Sequence, residues 1–152
     1  YLNLYKEDDA LNVYINIAKI DPMNYKIALD ISEILISKEK YQDALEWAEK
    51  AISISGSKGE TYYQRAEVYF SVAESCSGDP IQFWDKIVYE ISWKDYQQAV
   101  NKGYKQAKAR RDFLAEHYIT TSADWFMRPE GETKVSPQGE CYSWIDRMVY
   151  RK

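Results

Sequence analysis

The stretch that decides the fold is YKIALDISEILISKEKYQDALEWAEKAISISG, residues 25–56. Its small and apolar residues recur at intervals of three or four positions, which is the period of an α-helix. In its first half these residues are Ala28, Ile31, Ser32 and Leu35, and in its second half they are Tyr41, Ala44, Ala48 and Ala51. A polar turn around residues 38–40 separates the two halves. The stretch therefore predicts two closely packed helices and an all-α fold.

The same pattern recurs 34 residues away on both sides of this stretch. The corresponding pairs are Ala28 and Tyr62, Ser32 and Ala66, Leu35 and Tyr69, Ala10 and Ala44, Tyr14 and Ala48, and Ile17 and Ala51. Pro22 and Gly56, which both interrupt helices, keep the same interval. A 34-residue period built from helix pairs is the signature of the tetratricopeptide repeat.

The chain therefore resembles the tetratricopeptide repeat (TPR) family, with its best match in the middle repeat and partial matches over roughly residues 7–103. The matching residues are Ala28, Ile31, Ser32, Leu35, Tyr41, Ala44 and Ala51. The resemblance implies a short TPR-type α-solenoid of antiparallel helical hairpins, which we assign to residues 1–118. In the third unit a loop over residues 71–85 replaces the usual short turn. We expect the next helix to run from Ile81 to about Lys102, with Asp79 as its cap and Pro80 in its first turn.

Residues 119–152 break the helical pattern. The segment contains four residues that interrupt helices, namely Pro129, Gly131, Pro137 and Gly139, yet it is rich in aromatic residues. A disordered tail rarely carries so much aromatic surface. We therefore expect an ordered tail that packs on the last helices, with a short strand pair around residues 134–135 and 141–143.

Two cysteines, Cys76 and Cys141, are too few for a disulfide framework and lack metal-site spacing. Two interpretations remain open from the sequence. In one, the two cysteines form a bridge that fastens the tail to the helical body. In the other, they are free thiols, as a cytosolic location would favour.

In the TPR family the first helix of each hairpin lines a concave groove. Carried over by the 34-residue register, the groove positions of this chain are Lys26, Leu29, Glu33, Ile36, Ser37, Glu60, Tyr63, Glu67, Phe70 and Ser71. These residues give an apolar strip with an acidic margin, which suits an extended peptide or an amphipathic helix. Glu33 and Glu67 would repel a terminal carboxylate, so the subtype of TPR that binds chaperone tails is excluded.

Other occupants of such a groove are open alternatives. A neighbouring repeat, the aromatic tail or a second copy of the chain could cover it, since exposed apolar area usually has a covering. A further alternative function is a glycan- or envelope-associated binding protein, with Trp84, Trp93, Trp125 and Trp144 as stacking platforms.

Several function classes are disfavoured by composition. The net charge of −4 and a pI near 5.1 argue against a nucleic-acid surface, and no apolar run approaches the roughly 18 residues that span a bilayer. The single histidine, His117, rules out a histidine-pair zinc site, and no phosphate loop or nucleophile elbow occurs. We therefore expect a non-enzymatic protein without metal or cofactor, which binds a protein or peptide partner and is capable of self-association.

The chain begins at Tyr1 without an initiator methionine, so we expect it to be part of a longer protein. Its length and its aromatic, cysteine-bearing tail resemble uncharacterised bacterial TPR proteins that carry export signals. This resemblance favours a periplasmic or exported location over the cytoplasm.

Overall fold

The computed structural model describes residues 2–152, with side chains from residue 6 onward. The elements in chain order are α1 (Leu2–Ile20), α2 (Tyr25–Ser37), α3 (Tyr41–Ser55), α4 (Gly59–Cys76), α5 (Phe83–Asn101), a 3-10 helix (Lys105–Ala107), α6 (Lys108–His117), α7 (Ser122–Phe126), β1 (Lys134–Val135) and β2 (Val149–Tyr150). The described part is thus mostly helical with one small two-stranded sheet, which confirms the predicted all-α class.

The deciding stretch folds as the predicted helical hairpin. α2 buries all four of its predicted inward residues, and α3 buries its three alanines while Tyr41 is half-buried. α3 ends at Gly56, whose φ of +68° lies in the left-handed region that glycine adopts without a steric penalty. The three-and-four spacing of small residues therefore gives the buried faces directly.

One hydrogen bond recurs where the two helices of a hairpin cross. In the first hairpin, the Ser32 hydroxyl on α2 donates to the carbonyl oxygen of Ala44 on α3, at 2.8 Å. In the second, the Ser92 hydroxyl on α5 donates to the carbonyl oxygen of Ala66 on α4, also at 2.8 Å. Ser32 and Ala66 are the residues that the 34-residue register equates. The serine is on the first helix in one hairpin and on the second helix in the other, but both hairpins have the same bond at the crossing.

The hairpins pack through consecutive helices. α4 contacts α5, α3 and α2, and α1 contacts α2. Gly59, at the start of α4, permits a close approach, because a Cβ there would lie 2.9 Å from the carbonyl oxygen of Ala99 and 2.9 Å from the Cβ of Tyr104. One hydrophobic cluster joins α4, α5, α6 and the tail, and a smaller one joins α2, α3 and Val68.

Two local expectations are wrong. α5 begins at Phe83 rather than Ile81. The cap at its N-terminus is a bond from the backbone N–H of Gln82 to the Asp85 carboxylate, at 2.9 Å, and Asp79 takes no part in it. β1 lies where the strand was expected, but its antiparallel partner is β2. Residues 141–143 instead form a turn that follows Gly139, because the amides of Tyr142 and Ser143 donate to the Gly139 carbonyl oxygen.

The tail is held by three buried carboxylates of α5. Asp85 accepts from the Tyr142 hydroxyl at 2.5 Å, and Glu90 lies 3.0 Å from the Lys152 amine. The third, Asp95, accepts from the guanidinium of Arg147 of the tail at 2.7 Å. Buried carboxylates are costly unless they are paired. Residues 119–152 therefore supply partners to all three carboxylates, although Asp85 also accepts from the Gln82 backbone amide and Asp95 from Arg65 of α4.

A disulfide joins Cys76, the last residue of α4, to Cys141 of the tail, with Cα atoms 6.3 Å apart. Of the two open interpretations of the cysteines, the structure has the bridge.

Each of the described helices is too short or too polar to span a membrane.

Candidate binding cleft

A cleft of about 470 Å³ lies between α2 and α4 and is called the α2–α4 cleft below. It is lined by Leu29, Asp30, Glu33, Ile36, Ser37, Glu60, Tyr63, Gln64, Glu67 and Tyr104. Its volume is in the range of about 300–1,000 Å³ that is usual for ligand sites. The two helices are the first helices of successive hairpins, so the cleft follows from how the hairpins stack.

Seven of the ten predicted groove positions line this cleft. These seven are Leu29, Glu33, Ile36, Ser37, Glu60, Tyr63 and Glu67, and Ser71 is not among the lining residues. Lys26 is exposed and is not among the lining residues. Phe70 also lies outside: it is buried against Tyr89, with ring centroids 5.8 Å apart, and the guanidinium of Arg110 covers its ring at 4.0 Å. Arg110 belongs to α6, so a side chain of the helix that follows the α4–α5 hairpin covers Phe70.

The lining residues that the sequence analysis missed are Asp30, Gln64 and Tyr104. A signal for the first two was present, because Asp30 and Gln64 are themselves 34 residues apart and so share one register position. Tyr104 lies 34 residues after Phe70 and so falls on a groove position of the same register, but it follows Gly103, beyond α5, rather than lying on the first helix of a hairpin.

Aromatic side chains occupy one part of the cleft. The ring of Tyr63 lies 5.1 Å from that of Tyr104 and 5.6 Å from that of Tyr96, measured between centroids. The hydroxyl of Tyr96 donates to the carboxylate of Glu67. Burial, followed by the neighbouring charge of Glu67, raises the pKa of Tyr63 to about 12. These phenols therefore stay neutral at physiological pH and act as hydrogen-bond donors and apolar surfaces.

The lining of the cleft is strongly acidic. Among the described residues that line it, four carry carboxylates and none is Lys, Arg or His. A smaller cleft of about 300 Å³ between α1 and α2, the α1–α2 cleft, shares Asp30, Glu33 and Ser37 with it and adds Glu7. Burial raises the pKa of Asp30 above its ordinary value. The cleft thus concentrates negative charge that is partly withdrawn from water.

The tail does not contribute to the lining of either cleft. Its Arg147 lies over the ring of Tyr69, 5.3 Å from the centroid, and its Tyr142 reaches Asp85 of α5. The tail therefore packs on another face of α4 and α5. The aromatic tail, one of the alternative occupants of the groove, therefore does not cover the α2–α4 cleft.

The tryptophans proposed as stacking platforms differ in exposure. Trp125 is fully buried, and its indole Nε1 donates to the Thr120 hydroxyl at 3.0 Å. Its assignment as a sugar-stacking surface is therefore wrong. Trp84, Trp93 and Trp144 are half-buried, and the guanidinium of Arg128 lies over the Trp84 ring at 5.0 Å. The sequence suggested Trp125 as a platform because this residue lies outside the repeat core.

The groups considered for catalysis are dispersed. His117 is exposed and lies 3.5 Å from its chain neighbour Glu116, and both cysteines are joined in the disulfide. Over the part of the chain that the structure describes, no cluster of three His, Cys, Asp or Glu residues is arranged to hold a metal ion. The arrangement in the α2–α4 cleft suits hydrogen bonding and charge recognition.

No protein-family model matches this sequence, and no curated protein matches it either.

Proposed function

We propose that this chain is a non-enzymatic interaction module of the TPR type, which binds a protein or peptide segment in the α2–α4 cleft. The observation that carries the proposal is that seven positions selected by a 34-residue register line one cleft. An apolar strip with polar margins between two helices is the arrangement that binds extended or helical segments.

The strip within the cleft is formed by Leu29 and Ile36, which lie two turns apart on α2. Successive side chains of a bound segment can occupy such a strip while acidic groups flank it. Removing a Leu or Ile side chain from a contact costs about 1.5–3 kcal/mol, which is at least tenfold in affinity.

A displayed library of random peptides of about twelve residues tests the proposal. Peptides selected on the wild-type protein are measured against Leu29→Gln/Ile36→Gln and against the control Val13→Gln/Ile20→Gln. The control removes two exposed apolar side chains of α1 that line neither cleft. Helix content by circular dichroism verifies that both variants are folded.

We expect selected peptides to lose at least about tenfold in affinity for the cleft variant and to bind the control like the wild type. Equal binding to both variants, or no selected peptide at all, contradicts the proposal. If a second copy of the chain occupies the cleft, the cleft variant instead changes the oligomeric state in analytical ultracentrifugation, and the proposed partner is wrong.

A further inference from the structure

The two adjoining clefts hold an excess of negative charge. The carboxylates that line them are Glu7, Asp30, Glu33, Glu60 and Glu67, and no lining residue of either cleft is a cation. Of the nearby cations, Lys38 pairs with Asp8, whereas Arg110, which lies over the Phe70 ring, opposes the rise in the pKa of Tyr63 and so offsets part of this negative charge. Like charges gathered along one cleft repel an anionic ligand and attract a cationic one.

The aromatic part of the cleft favours the same sign of charge. A cation over the face of a tyrosine ring is stabilised by the electrons of the ring. The helix that carries Tyr63 already uses this contact at neighbouring positions, where the guanidinium of Arg65 lies 5.4 Å from the Tyr62 centroid. Tyr63 itself is half-buried, so part of its surface faces the cleft.

Desolvation gives a third reason. Asp30 is partly withdrawn from water, and its carboxylate is thereby disfavoured in the charged form, as its raised pKa reports. A cation that enters the cleft restores stabilisation that the carboxylate lost on burial. A neutral or anionic ligand would leave this cost in place.

Building on the proposed function, we propose that the segment bound in the α2–α4 cleft is positively charged, with lysine or arginine side chains between Glu33 and Glu67 and apolar side chains on the Leu29–Ile36 strip. The apolar strip is the reason to assign a protein segment rather than a small polyamine, since a polyamine has no side chains to place on it. The cleft is thus selective for basic sequences.

The charge requirement is tested separately from the location of the site. Peptides selected from the random library are compared with versions in which every Lys and Arg is replaced by Gln. Both forms are measured on the wild type and on Glu33→Gln/Glu67→Gln. This variant keeps the side-chain shape and leaves an oxygen to accept from Tyr96. The matched control, Glu46→Gln/Glu130→Gln, removes two exposed carboxylates that line neither cleft.

We expect the selected peptides to be net positive and to lose about tenfold in affinity for Glu33→Gln/Glu67→Gln, because each exposed or half-exposed charge pair contributes a fraction of that factor. The neutralised peptides should bind the variant and the wild type equally, and the control variant should resemble the wild type. Binding of the cationic peptides should also weaken as salt is raised from about 0.05 to 0.5 M.

Two results overturn the inference while leaving the proposed function intact. One is that selected peptides carry no positive charge yet still require Leu29 and Ile36. The other is that Glu33→Gln/Glu67→Gln and its control bind cationic peptides equally. Spermine that competes at the affinity of the peptides would reassign the site to small cations and overturn the protein segment as its occupant. Failure of every peptide to bind removes both proposals together.

Discussion

At the scale of single residues, the serine at each helix crossing shows how one hydroxyl serves packing and polarity together. Ser32 is fully buried, donates to the Ala44 carbonyl oxygen and accepts from the Gln64 side-chain amide at 3.2 Å. A small side chain is needed there because the helices approach closely, and the hydroxyl gives Gln64, itself buried, a partner. Ser32 therefore links α2, α3 and α4 at one point.

Ser32→Ala should lower the free energy of unfolding by about 1–3 kcal/mol, because it leaves the buried Gln64 amide without its acceptor. The measurement is urea unfolding followed by circular dichroism. The control Ser53→Ala changes an exposed serine of α3 and should alter stability by less than about 0.5 kcal/mol. A Ser32→Ala protein as stable as that control would mean that the hydroxyl contributes nothing.

At the scale of elements, α5 is the helix that connects its hairpin partner, α4, to the tail. Its buried Asp95 accepts from Arg65 of α4 in a bidentate pair, at 2.8 and 2.9 Å, and from Arg147 of the tail at 2.7 Å. The same carboxylate thus joins the hairpin partner of α5 to the tail. Because two cations share Asp95, the three elements are coupled through one side chain.

Asp95→Asn should therefore destabilise the protein more than removal of either arginine. We expect a loss of about 3 kcal/mol for Asp95→Asn, because it leaves two half-buried guanidinium groups without their carboxylate. Arg147→Met should cost only about 1–2 kcal/mol, since Arg65 still pairs with Asp95. Urea unfolding of both variants measures the difference. Equal losses in the free energy of unfolding would contradict the shared role of Asp95.

At the scale of the whole molecule, buried tyrosines couple folding to alkaline pH. The pKa is raised by burial in six of them, namely Tyr63, Tyr69, Tyr89, Tyr96, Tyr104 and Tyr142. An unfolded tyrosine ionises near pH 10, so above that pH the unfolded chain binds fewer protons than the folded one. The stabilising contribution is thus complete below about pH 10 and is lost as pH rises through the raised folded values.

We expect the free energy of unfolding to fall steeply above about pH 10, by at most about 1.4 kcal/mol per pH unit for each phenol that stays neutral in the folded protein. Urea unfolding at several pH values measures this slope, and phenolate absorbance reports ionisation. Tyr96→Phe removes one of the more deeply buried phenols, so its slope should be shallower than that of the wild type. Identical slopes would show that Tyr96 does not contribute.

Local periodicity was enough to predict the helices of the hairpins and much of the cleft, but not α7. The three-and-four spacing in residues 25–56 predicts the hairpin, and the 34-residue register brings Leu29, Glu33, Ile36, Tyr63 and Glu67 to one face. Both follow from helical geometry, in which sequence spacing fixes which residues share a side.

Only the folded chain decided the contacts between segments that are distant in sequence. The bridge between Cys76 and Cys141, the pairing of β1 with β2 and the covering of Phe70 by Arg110 join residues that no repeat period relates. Such contacts depend on how whole helices and the tail come together, because long-range pairing is set by packing and by the partners available to buried charges. The same reason explains why Trp125 lies in the core.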